Sequence, residues 1–135
     1  MKGIITLCGS TKFKKYFELV NKCLTLDGYI VLSVGSFHHD EGEGAQVRKL
    51  TEQNKDVLDE LHKEKIALAW AVFFINPGGY MGESTKSELV YASALGKELY
   101  YWARHEMETN DLERLSRTFR LWANTLLQES GLLNG

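Results

Sequence analysis

Apolar positions along this chain switch repeatedly between a strand-like and a helix-like spacing. Ile4, Ile5 and Leu7 form a short apolar run that stops at Cys8-Gly9-Ser10, the pattern of a buried parallel strand. Phe13, Phe17, Val20 and Leu24 then recur at helical spacing, and Asp27-Gly28 closes that helix. Tyr29 to Val34 is rich in strand formers and ends at Gly35. Ser36 to Lys49 is polar and without an apolar period, which predicts a loop. Val57, Leu58, Leu61, Lys65 and Leu68 outline a second helix, with Ile66 and Ala69 on its buried edge. Ala71 to Ile75 predicts a central strand, Asn76 to Gly82 a glycine-rich turn, and about Ser84 to Leu95 a helix ended by Gly96. Leu99 to Trp102 predicts a fourth strand. Leu112, Leu115, Phe119, Trp122 and Leu126 outline a last helix over about 110–128, packed on the sheet or against a neighbouring subunit.

Alternation of strand and helix through a single domain, residues 1–135, implies an α/β fold. Its sheet should be mostly parallel, with four to five strands and helices on both faces. Open sheets of this kind bind ligands beyond the carboxyl ends of their strands. Attention therefore falls on the loops that start at Cys8, Gly35 and Asn76.

Composition narrows the partners. Of 135 residues, 44% are hydrophobic and 25% charged, the balance of a folded domain. A formal net charge of -2 argues against a nucleic acid polymer as partner, since such binders carry a basic surplus. Cys8 and Cys23 lack the spacing of a disulfide framework and read as reduced thiols. The apolar stretch at the amino terminus is too short for a signal peptide, and no window reaches the length of a membrane span. The expected location is cytoplasmic, without membrane contact.

In the first loop, Gly9 lets the backbone turn and approach a ligand. The Ser10 and Thr11 hydroxyls and the helix's first N–H groups, with Lys12 nearby, suit a phosphate or a sugar hydroxyl. Ser10 or Thr11 could equally be a simple N-cap. In the third loop, Gly78, Gly79 and Gly82 fall within five positions, which suggests close backbone approach to something bound. Glu88 has two readings. Thr85-Lys86-Ser87-Glu88 fits a capping box, with Glu88 bonded back to the Thr85 N–H. Alternatively, a glutamate in the first helical turn, kept ionised by the helix dipole, can serve as a nucleophile.

The middle loop carries His38, His39, Asp40, Glu41 and Glu43, but their spacing matches no established metal site, and none is expected. Phe37 offers a flat face on which a base could stack. His62, mid-helix, and His105, after the last strand, read as surface or packing residues.

Taken together, the segments Leu7-Cys8-Gly9-Ser10-Thr11-Lys12-Phe13, Gly28 to Ser33, Leu61 to Ile66 and Ile75 to Glu88 resemble the nucleoside 2-deoxyribosyltransferase-like family. Tyr91-Ala92 and Gly96-Lys97 continue the likeness, which covers about residues 3–102 in consistent order. The resemblance implies a flavodoxin-like three-layer α/β/α fold and cleavage or exchange of the N-glycosidic bond of a 2′-deoxynucleoside or its 5′-monophosphate. It implies that Glu88 attacks the anomeric carbon and forms a covalent glycosyl-enzyme. An ionised carboxylate there would stabilise an oxocarbenium-like transition state. Gly9, Ser10 and Thr11 would hold the 5′ end, Phe37 the base, and Gly79, Tyr80, Gly82 and Ser84 the sugar. No cofactor or metal is expected, and a homo-oligomer is, because relatives often complete their sites across a subunit contact. One departure stands out: family members commonly carry an aspartate at the start of the strand before the glycine turn, where this chain has Trp70. Tryptophan is neither acid nor carboxylate acceptor. Either Glu83 or Asp40 takes over that role, or the chain is a nucleotide-binding module without turnover.

Overall fold

The computed structural model describes residues 2–34 and 44–103. Four parallel strands, β1 (Ile4–Gly9), β2 (Ile30–Leu32), β3 (Ala71–Ile75) and β4 (Glu98–Tyr101), form one sheet in the order β2-β1-β3-β4. That order is the flavodoxin-like one as far as the fourth strand. Helix α1 (Lys14–Leu26) covers one face, packing Phe17, Val20 and Leu24 on Ile5, Leu7, Phe73 and Ile75. The other face is covered by α3 (Lys55–Leu68) and α4 (Glu83–Ala94), which set Ile66, Leu89 and Ala92 on Cys8, Val72, Phe74 and Tyr101. The three layers follow from β3, whose five residues are all buried because both faces carry helices.

Gly9 and Asn76 hold the carboxyl edge of the sheet together. Gly9 adopts φ +154, and a Cβ there would stand 2.5 Å from the Ile75 carbonyl oxygen. Its close approach is therefore to β3, where only a residue without a side chain lets the two strand ends pair. Asn76 is fully buried, and its amide both donates to the Ala103 carbonyl oxygen (3.0 Å) and accepts from the Ala103 N–H (2.9 Å). That pair ties the end of β3 to the chain leaving β4.

Three expectations are corrected. The polar segment Ser36 to Lys49 is not wholly loop, because α2 (Ala45–Gln53) begins within it. Thr51 is buried there, while Val47 and Leu50 are exposed, so no inward apolar stripe announces the helix. Strand β2 is only three residues long, and the strand-like composition of Tyr29 to Val34 overstates it. Of the apolar stripe of α3, Val57, Leu61 and Leu68 are exposed and Leu58 is half-buried, whereas Ile66 and Ala69 are buried as expected and His62 is buried with them. Residues 35–43, with Phe37, His38, His39, Asp40, Glu41 and Glu43, lie outside the described residues. So do His105 and the segment about 110–128. Among the described residues no helix is long and apolar enough to cross a membrane, and Cys8 and Cys23 are free, buried thiols.

Candidate active site

Beyond the carboxyl ends of β1 and β3, a cavity of about 290 Å³ opens between the first loop and helices α3 and α4. Its size is at the lower end of ordinary ligand sites. Gly9, Ser10 and Thr11 form one wall, and Gly82, Ser84 and Glu88 another. A third wall, from α3, carries Lys55, Asp59, His62 and Lys65.

Local structure explains each wall. After β1 the chain makes a 3-10 turn over Thr11–Phe13, with Ser10 as its N-cap, the hydroxyl accepting from the Lys12 N–H at 3.4 Å. Helix α1 begins only at Lys14, so the expected helix N-terminus at Ser10-Thr11 is corrected to this short turn. Gly78 (φ +67) and Gly79 (φ +82) take the left-handed conformation that turns the chain after Pro77. A Cβ at Gly78 would meet nothing, so that glycine serves the turn and not close approach. Gly79 and Tyr80 are off the cavity wall. Tyr80 instead covers Lys12, whose Nζ lies 3.5 Å from the ring centroid, and meets Phe13 edge-on at 5.9 Å.

Helix α4 starts at Glu83 with Gly82 as N-cap, and no side chain caps it. The first intrahelical bond runs from the Lys86 N–H to the Gly82 carbonyl (3.0 Å). This leaves the N–H groups of Glu83, Ser84 and Thr85 without partners in the helix, at the cavity rim. The capping box is ruled out by this boundary, since Thr85 is a buried interior residue and Glu88 stands in the second turn. The expected dipole-held, fully ionised glutamate is corrected as well. Burial pushes the Glu88 carboxyl up to about 7; Asp59 adds to this, while a hydrogen bond with Cys8 and the charges of Lys63 and Lys55 oppose it.

Sequence reasoning missed the neighbours of Glu88. His62, expected at the surface or in packing, is buried against it, with Nε2 3.8 Å from Glu88 Oε2 and 3.3 Å from Cys8 Sγ. Their side chains are only 8% and 13% exposed. Burial, and then the charge of Lys65, push the His62 imidazole down to about 4, so it is neutral at pH 7. Burial and the Glu88 charge raise the Cys8 thiol well above its ordinary value. Glu88 Oε2 and His62 Nδ1 are buried without hydrogen-bond partners. Asp59, His62 and Ile66, spaced three and four apart, share one helical face. That spacing was a visible signal, with Ile66 already on the expected buried edge, but the apolar positions Val57, Leu61 and Leu68 gave no reason to place His62 beside it. Cys8, His62 and Glu88 each offer one ligand atom, and these atoms lie within 4.8 Å of one another.

Glu83 is almost wholly exposed, with Lys86 Nζ 3.8 Å away. Trp70 sits at the amino end of β3, where its N–H bonds the Ile4 carbonyl (2.9 Å) and its ring stacks on Tyr29. Five strand residues, roughly 16 Å, separate it from the cavity end of the strand. The identity of residue 70 therefore has no direct contact with the cavity.

The chain matches no protein-family model and no curated protein.

Proposed function

We propose that this domain binds a 2′-deoxynucleoside or its 5′-monophosphate in the cavity and breaks the N-glycosidic bond, with Glu88 as nucleophile. One observation carries this: the Glu88 carboxyl lines a ligand-sized cavity whose other walls are the Gly9-Ser10-Thr11 turn and the uncapped start of α4. Unpaired N–H groups at the start of a twelve-residue helix suit a phosphate or sugar oxygen. The sequence likeness to nucleoside 2-deoxyribosyltransferases supports the same chemistry.

In the first step a Glu88 oxygen bonds to C1′ as the C1′–N bond breaks, its electron pair leaving with the base, which takes a proton. In the second, water or another base attacks C1′ and the Glu88–C1′ bond breaks. Only the ionised carboxylate attacks, and with a value of about 7 both forms are present at neutral pH. Glu83, Asp59 and His62 are titratable groups on the cavity wall that could serve the departing base. A homo-oligomer belongs to the same proposal, since Val47, Leu50, Val57 and Leu68 leave apolar surface exposed on α2 and α3.

Incubation with deoxynucleosides and their monophosphates, with free base followed by chromatography, tests the reading. Base release that disappears in Glu88→Ala is expected. If no substrate turns over, or Glu88→Ala matches the parent, the enzymatic reading fails. Binding by calorimetry without product would identify a non-catalytic nucleotide module instead.

A further inference from the structure

A sulfur, an imidazole nitrogen and a carboxylate oxygen, supplied by β1, α3 and α4, converge beside the cavity: His62 and Glu88 line it, and Cys8 is fully buried against them. Sγ of Cys8 is 3.3 Å from Nε2 of His62, which is 3.8 Å from Oε2 of Glu88. Around a tetrahedral zinc ion, with bonds of about 2.3 Å to sulfur and about 2.0 Å to nitrogen or oxygen, neighbouring donors stand roughly 3.3–3.6 Å apart. Against that geometry the observed sulfur–nitrogen separation is about 0.2 Å short and the nitrogen–oxygen separation about 0.5 Å long, and all three donors lie within 4.8 Å of one another, so side-chain adjustments of about an ångström close the triangle on an ion. Glu88 Oε2 is buried with no hydrogen-bond partner, and the Cys8 thiol that hydrogen-bonds the carboxyl is itself one of the three donors. A thiol this buried is a poor nucleophile, so thiol chemistry does not account for the cluster.

Charge also balances: one thiolate and one carboxylate neutralise a divalent ion, and the neutral imidazole adds the third bond. A buried site of this kind avoids the penalty of an unpaired charge. The thiolate selects a soft ion over Mg²⁺ or Ca²⁺, which prefer oxygen ligands. We propose that Cys8, His62 and Glu88 form a site for a thiophilic divalent cation of the Zn²⁺ class, open on its fourth side to the cavity, whose occupancy silences glycosidic chemistry by engaging the Glu88 oxygen. Binding releases the Cys8 proton to solvent, with the Glu88 proton when it is present, and no electrons move. The silencing rests on the proposed function, whereas the binding does not.

The test uses the full chain stripped with a chelator and then titrated with Zn²⁺ against a chromophoric indicator, and separately with Co²⁺. One equivalent of Zn²⁺ should bind, and Co²⁺ should produce a near-ultraviolet thiolate charge-transfer band. Cys8→Ser should abolish that band, and Cys23→Ser, which alters the thiol outside the cluster, should retain it. His62→Gln and Glu88→Gln should each weaken Zn²⁺ binding on the order of 100-fold or more, at or beyond the upper end of losses seen on removing mere supporting groups. Absence of stoichiometric binding by the parent chain, or binding unchanged in these variants, overturns the site. Should Cys8→Ser not fold, the parent Co²⁺ band and the His62→Gln affinity still decide. Turnover that persists at full Zn²⁺ occupancy overturns the silencing. Zn²⁺ binding by a protein that turns over no nucleoside when metal-free would leave the site standing and remove only the nucleoside reading.

Discussion

Replacing Glu88 with Gln, or His62 with Asn, separates two pH effects that cancel in the parent protein. Burial raises Glu88 from an ordinary value of 4.5 to about 7. Between those values the folded state holds a proton that the unfolded state has lost, so Glu88 makes stability fall as pH rises through the window. Burial lowers His62 from 6.5 to about 4, so there the unfolded state holds the extra proton and stability falls as pH drops. Each displacement is on the order of 3 kcal/mol at about 1.4 kcal/mol per pH unit. Neither side chain is exposed enough for solvent to screen the effect away. In the folded protein the pair holds one proton from about pH 4 to about pH 7. Unfolded, it holds one from 4.5 to 6.5. Over the shared range the counts match, wherever within the pair the folded proton sits, and the parent's slope from this pair is near zero.

The variants break the match. Burial is the largest cause of each displacement, and a single replacement leaves the remaining group buried. Asp59, Lys55, Lys63, Lys65 and Cys8 surround the pair in all three proteins and drop out of the comparison. Relative to the parent, Glu88→Gln should lose on the order of 3 kcal/mol between about pH 7 and pH 4, and His62→Asn should gain a similar amount on the same acidification. Urea unfolding at a series of pH values, with chelator present so that no cation competes, reads the difference. Three parallel stability curves would refute the reasoning, because they would mean that neither group is displaced by burial.

Gly9→Ala should cost about 2–3 kcal/mol in urea unfolding, because the added methyl meets the Ile75 carbonyl at 2.5 Å in a conformation that favours glycine. A loss below about 0.5 kcal/mol would show that the two strand ends can part. Trp70→Asp should leave nucleotide affinity in calorimetry unchanged, while costing about 1 kcal/mol of stability from the lost Tyr29 stack. Altered affinity would contradict its place at the far edge of the sheet. Ile66→Ala should destabilise by about 2–5 kcal/mol, and Leu68→Ala, 69% exposed, by under about 1 kcal/mol, measured by the same unfolding. Equal losses would mean that α3 packs through its apolar stripe after all.

The chain's own order of residues was enough for the alternation of strands and helices, the central strand Ala71–Ile75 and the loops at the carboxyl edge. Those features are local: a fully apolar run and a glycine turn declare themselves without knowledge of what they touch. Where α4 begins, that His62 is buried against Glu88, and what else surrounds Glu88 were decided by packing. The start of α4 moves Glu88 from a cap into a buried second turn, and burial then sets its proton affinity. His62 lies twenty-six residues from Glu88 and fifty-four from Cys8, and only the stacking of α3 and α4 on the end of β1 brings the three together. Periodicity reports the direction a side chain takes from its own helix. The desolvation and partners that fix its chemistry come from other elements, and no spacing within one segment encodes them.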